Sequence, residues 1–225
     1  MRHIWRALAL TAAVGLTLTG CAKEIAGVAI PDPRRPGVAL TSDGFGIVTG
    51  FAEAPVQIEI FTEPQCSHCA DLQAAHGDDM LAAIDSGQLA ITYRPLTFLD
   101  DEYLTDYSAI ASNTLFLAVD AATEAGVFQT YVEDLWANQD LSFFDFTDQD
   151  FADIAADSGL SDTIVERIAD GESGVDPAEL LEANFAALEE VSTDSLGTPL
   201  VYDLDNKEVV DISDDTWLST LLKSG

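Results

Sequence analysis

Between residues 55 and 99 the hydrophobic period changes twice, and no other feature of this 225-residue chain restricts its fold as much. In "PVQIEIF" (55–61) Val56, Ile58 and Ile60 alternate with Gln57 and Glu59, the two-residue period of a half-buried strand. Cys66 follows five residues later. From there Leu72, Ala75, Met80, Leu81 and Ile84 fall at helical spacing, with a break expected at Gly77, and "GQLAITYRPLTFL" (87–99) reads as another strand. Strand, C-x-x-C, helix, strand is the opening of a βαβ unit, and "FGIVTG" (45–50) places one more short strand before it.

A helical block comes next. Tyr103, Tyr107, Ile110, Ala111, Thr114, Leu117 and Ala118 line one face of a single helix. Further helices are expected at 127–138, at 148–158 with Thr147 as cap, at 162–170 with Ser161 as cap, and at 177–191. The last has Asp176 as N-cap, Pro177 at the first position and Glu179 three residues after the cap. Then "TPLVYDLDNKEVVDI" (198–212) gives two strands around a turn at Asp205-Asn206, and "DDTWLSTLLKSG" closes as a helix with Trp217, Leu218, Leu221 and Leu222 inward. This order resembles an α/β, thioredoxin-like fold: a central mixed β-sheet flanked by helices, with a helical insertion at about 101–191 after the first βαβ unit.

The compartment decides what a cysteine pair means. "MRHIWR" with Arg2 and Arg6, followed by the apolar run "ALALTAAVGLTLT", has the form of a secretory signal, too short to span a membrane comfortably. The run stops at "LTGC", which resembles the bacterial lipoprotein box; the resemblance implies a signal peptide at 1–20 and a lipid-bearing Cys21 as first mature residue. Residues 21–43, rich in Pro, Gly and Ala, read as a flexible tether, and 44–225 as the folded domain. An ordinary cleaved signal or an uncleaved anchor are the alternatives.

Removing residues 1–20 takes away two bases and no acid, moving the formal charge from −31 to −33. Such acidity argues against nucleic acid and against anionic lipid surfaces, and it fits a solvated surface. The excess peaks between Asp140 and Asp176, with eleven acids against Arg167 alone.

With Cys21 on lipid, only Cys66 and Cys69 remain, in "EPQCSHCADLQ". A zinc site would need His76 plus His68 or an acid as improvised ligands. Covalent haem needs histidine at position 70, which is Ala. A structural disulfide with two residues between its cysteines removes little chain entropy. A redox pair fits the placement: the helix N-terminus stabilises a Cys66 thiolate, Cys69 lies one turn on, and His68 could add charge or a hydrogen bond to the sulfur. No metal and no cofactor is expected.

"IEIFTEPQCSHCADLQ", the block from "YLTDYSAIASNTLFLAVD" to "VFQTYVEDLW", and "SLGTPLVYDLDNKEVVD" resemble the DsbA-like branch of the thioredoxin family over residues 45–225. The resemblance implies thiol–disulfide exchange on secreted proteins through Cys66, Ser67, His68 and Cys69, with a cis proline at Thr198-Pro199 facing the pair and binding extended substrate. It implies an oxidase at the extracytoplasmic face of the cell membrane, recycled by a membrane redox partner. Reductase or isomerase action with the same pair is the alternative, as is a non-catalytic envelope lipoprotein. Two departures stand out. Ser67 replaces the proline that many oxidases have there, and the relatives' proton-relaying acid, six residues before the first cysteine, is here Ile60. Glu59 points to the opposite face, leaving Glu63 or water to serve Cys69.

Overall fold

A computed structural model describes residues 35–139, 146–192 and 196–225. The expected signal peptide and Cys21 lie outside the described residues.

Strands β1 (Gly37–Leu40), β2 (Ile47–Gly50), β3 (Val56–Thr62), β4 (Leu89–Pro95), β5 (Leu200–Asp203) and β6 (Glu208–Val209) form one sheet in the order β1-β2-β4-β3-β5-β6. β3 and β4 are parallel, paired from Val56 opposite Leu89 to Thr62 opposite Pro95. The other neighbours are antiparallel. A parallel pair needs a crossover. Helix α1 (Ser67–Asp85) supplies it and places the cysteine pair just beyond the carboxyl end of the central strand β3. The expected insertion follows β4 as α2 (Phe98–Tyr103), α3 (Tyr107–Leu117), α4 (Ala125–Ala137), α5 (Asp148–Asp157), α6 (Asp162–Ala169) and α7 (Pro177–Val191), with α8 (Trp217–Ser224) at the end. This is the mixed-sheet, thioredoxin-like architecture expected from the pattern.

The alternation in β3 sorts its side chains between two cores. Ile58 and Ile60 join Ile91 and Tyr93 of β4 against α1, α4 and Trp217 of α8. Phe61, on the other face, joins Leu96, Leu188 and Leu200, with Phe185 of α7 packed alongside. Glu59 shares that second face and is buried, its carboxylate 2.5 Å from Nε of Arg94. At the helix starts, Thr147 and Asp150 form a reciprocal capping box, and Asp176 accepts from the N–H groups of Ala178 and Glu179.

Three expectations need correction. The tether does not run to residue 43: Gly37–Leu40 pairs with β2, the Pro36 carbonyl accepts the Ala125 N–H at 3.1 Å, and Arg35 pairs with Glu124. Valine and leucine in "GVAL" therefore build an edge strand that the flanking prolines concealed. Gly77 does not break α1, which continues to Asp85. Its missing side chain serves packing, because a Cβ there would lie 2.5 Å from Cδ of Glu133 on α4. Finally, Tyr103 and Tyr107 sit on different helices. Leu104 adopts φ 59°, ψ 46° between them, and the Asp100 carboxylate accepts from the N–H groups of Ser108 and Ala109, at 2.9 and 2.8 Å, so capping α3 from outside it.

Candidate active site

Cys66 occupies the N-cap of α1 in extended conformation (φ −77°, ψ 115°), and no side chain caps the helix. The free N–H groups of the first turn are therefore available to its sulfur. Both cysteines are free thiols, Cys66 half-buried and Cys69 only 1% exposed. A hydrogen bond from the Cys69 thiol is the main cause that lowers the Cys66 pKa to about 5. The Thr198 hydroxyl and the backbone N–H groups of Cys69 and His68 add to it, against the opposing effect of burial. Burial, the bond it gives to Cys66 and the charge of that thiolate drive Cys69 the other way, well above an ordinary thiol. One sulfur is thus prepared to be an anion and the other to keep its proton.

Across the site the Thr198-Pro199 peptide is cis. As a thiol, Cys66 donates to the Thr198 carbonyl at 3.3 Å, while the thiolate draws on the Thr198 hydroxyl instead. Thr198 and Pro199, with Val209, Val210 and Ile212, line a groove beside β5 and β6. Chain segments 132 residues apart therefore meet because β5 pairs with β3, Leu200 opposite Phe61.

Ser67 is exposed. His68 is turned outward too: its side chain is 80% exposed and Nδ1 lies 3.7 Å from the Asp71 carboxylate. The contribution of His68 to the Cys66 sulfur is its backbone N–H, a donor any non-proline residue at that position would supply. His76 packs edge-on against Trp217, centroids 5.3 Å apart, inside the main core. Among the described residues no group of three His, Cys, Asp or Glu side chains is placed to hold a metal.

Glu63, three residues before Cys66, has no exposed surface. Its carboxylate accepts from the Gln65 N–H at 2.6 Å and bonds the Ser108 hydroxyl, and its carbonyl accepts the Cys66 N–H at 3.0 Å. Burial lifts its pKa to about 8, with the negative charges of Asp100 and Cys66 adding to the lift and the two hydrogen bonds opposing it. Gln65 ties the cluster together, donating to Asp100 at 2.8 Å and to Ser108 at 2.9 Å. Ile60, where relatives carry their acid, is sealed in the apolar core. The sequence points to Glu63 by proximity alone; Gln65, Asp100 and Ser108 carry no local signal, because their roles arise where α2 and α3 close over the cysteine turn.

The arrangement agrees with comparisons to known proteins. A thioredoxin family model matches residues 42–199. MdbA of Corynebacterium diphtheriae, a thiol-disulfide oxidoreductase, superposes with a TM-score of 0.68 and 26% identity over 87% of this chain and 94% of that one. MdbA of Corynebacterium matruchotii gives 0.68 at 20% identity, over 83% and 91%. Oxidised DsbA of Mycobacterium tuberculosis shares the fold at 0.58 and 16% identity, over 84% and 91%. Among curated sequences, the serine/threonine-protein kinase PknE of M. tuberculosis is 28% identical over 186 residues, 79% of this chain; the chain spans 31% of that kinase's length. A family match over most of the fold, and a cysteine pair split into an acidic and a guarded thiol at a helix N-terminus, lead to one assignment: the chain belongs to the thioredoxin family, with the fold of DsbA-type thiol–disulfide oxidoreductases.

Proposed function

We propose that this protein is a lipid-anchored oxidase of secreted proteins, held by Cys21 at the extracytoplasmic face of the cell membrane. The observation that carries the direction is the network on the Cys66 sulfur: every donor that stabilises the thiolate stabilises the reduced pair and makes the disulfide a stronger oxidant.

In the oxidised enzyme a substrate thiolate attacks Cys66 Sγ, forming a mixed disulfide and expelling Cys69. Cys69 leaves as a buried anion, so it must gain a proton. The Thr62 side chain and the Glu63 backbone bond the Cys69 sulfur directly, and the Glu63 carboxyl, protonated at neutral pH and held by the Ser108 hydroxyl, is the acid of this turn that supplies the proton. A second substrate thiol then attacks the substrate sulfur of the mixed disulfide and expels the stable Cys66 thiolate. Two thiols become one disulfide and release two protons: one replaces the proton that Glu63 gave to Cys69, and the other goes to solvent because Cys66 ends as a thiolate. The groove at Thr198 and Pro199 takes the substrate backbone beside Cys66. A membrane redox partner reoxidises the pair.

The alternatives are a reductase or isomerase using the same pair, or a non-catalytic envelope lipoprotein with an inert disulfide. Equilibration with glutathione separates the readings. A potential toward about −120 mV supports the oxidase, and one near about −270 mV makes the protein a reductase. Unchanged turnover of a reduced model protein by Cys66→Ser would remove catalysis by this pair altogether.

A further inference from the structure

The turn that presents Cys66 is held from the far side by a residue of the helical insertion. Gln139 follows α4 directly, and its side-chain Nε2 donates to the carbonyl of Pro64 at 2.5 Å and to that of Cys66 at 2.9 Å. A carboxamide has two N–H donors, and both are used here. Pro64 is buried, and Gln139 is the donor its carbonyl meets.

The end of α4 is itself fixed. Asn138 bonds back to the Asp134 carbonyl at 2.8 Å, and the Gln139 N–H reaches the Trp136 carbonyl at 3.4 Å. Close packing of α4 on α1 at Gly77 sets the distance between that helix end and the cysteine turn. The amide therefore sits at a defined place relative to Cys66.

We propose that Gln139 is a positioning residue of the redox pair, whose side-chain amide clamps the Pro64 and Cys66 carbonyls and thereby favours the reduced, ionised form of Cys66. The Pro64 and Cys66 carbonyls belong to the turn that carries the sulfur, the Cys66 oxygen accepting also from the Cys69 and Ala70 N–H groups at 3.1 and 3.2 Å, and their dipoles bear on a turn that gains negative charge when the disulfide is reduced. A donor bonded to both oxygens offsets that field, and its bonds strengthen when the sulfur becomes an anion. In the disulfide form the sulfur is neutral and the same bonds gain nothing. The clamp thus acts on the difference between the two redox states, a role beyond tying two segments together.

The inference rests on the oxidoreductase reading, and one set of measurements separates their failures. Thiolate absorbance titration of Cys66 and glutathione equilibration are run on wild type, Gln139→Ala, Gln139→Asn and Gln139→Glu, with circular dichroism and thermal unfolding alongside. If wild-type Cys66 titrates as an ordinary thiol, the redox assignment of the pair fails first. If it titrates low, Gln139→Ala is expected to move it upward and to shift the glutathione equilibrium about fivefold toward the disulfide, the net worth of an ordinary hydrogen bond. Gln139→Asn, one methylene shorter, retains part of the effect. Gln139→Glu shifts further than Gln139→Ala above the titration of its carboxylate, because it adds charge and removes both donors. Folded variants of lowered thermal stability that keep the wild-type thiolate and potential would overturn the proposal, leaving Gln139 a structural tie.

Discussion

Replacing Glu63 by glutamine should stabilise this protein while slowing it. In the unfolded chain a glutamate releases its proton near 4.5, whereas buried Glu63 holds its own to about 8. Below the unfolded value both states are protonated and the residue has no effect on stability. Between the two values the unfolded chain gives up a proton that the folded chain keeps, so stability falls as pH rises, and the fall is complete above about 8. At about 1.4 kcal/mol per pH unit, the loss reaches about 3 kcal/mol at pH 7.

Glutamine mimics the protonated acid. Its carbonyl oxygen can accept the Gln65 N–H and its amide can donate to the Ser108 hydroxyl, at a cost of about 1 kcal/mol for the weaker of these bonds. Glu63→Gln should therefore be about 2 kcal/mol more stable than wild type at pH 7, about 3 kcal/mol at pH 8, and near parity at pH 5. The Cys66 thiolate has the reverse linkage, since its folded pKa lies below its unfolded one and its stabilisation grows with pH above about 5. Wild-type curves mix the two trends; the difference between variant and wild type, both reduced, isolates Glu63. Urea unfolding at pH 5, 7 and 8 measures it, and stopped-flow reduction of the oxidised variant by a small thiol measures the cost. That rate should drop about a hundredfold, the lower end of general-acid effects, because glutamine has no proton to give Cys69. A stability difference that does not change with pH, or full activity in Glu63→Gln, would refute the reasoning.

Two other outcomes follow from the same geometry. Cys69→Ser leaves the half-buried Cys66 to attack or be attacked with no resolving thiol, so mixed disulfides with substrate proteins should persist and be visible on non-reducing gels, whereas Cys66→Ser should trap none. On the proposed lipid anchor, Cys21→Ser should shift the protein from the membrane fraction to the soluble one, because two acyl chains hold a protein on a bilayer where none does; an unchanged distribution would refute the anchor at Cys21.

The inner strands and most of the helical block are legible because those elements bury a face whose period survives in the sequence, whereas the edge strand β1 and the short, unburied α2 leave no such period. Val56, Ile58 and Ile60 declare their strand, and Asp176-Pro177 declares the start of α7. Elements that depend on distant partners were not legible. Nothing local marks Asp100 as the cap of α3, and it takes the fold to explain why Tyr103 leaves the helix that its spacing fits. Gly77 looked like a break because propensity counts only the helix it sits in, while its real constraint is Glu133 on α4.

The candidate site divides along the same line. The cysteines and Thr198-Pro199 are local motifs, and the structure brings them together; the groups that tune them come from the insertion and are scattered over the chain. The apolar Ile60 is the instructive case. A strand residue six positions before Cys66 faces the core shared with α1, so an acid there is buried by β3 itself and needs no insertion. Glu63 lies beyond the end of β3, on the turn, and is buried because α3 brings Ser108 onto it and Gln65 links that contact to Asp100 of α2. Moving the carboxyl from strand to turn therefore transfers control of its proton from the sheet to the helical insertion. In this protein the insertion holds the acid with Ser108 and Asp100 on one flank and the cysteine turn with Gln139 on the other. A change in how the insertion packs would reach both the proton and the thiolate without touching either cysteine.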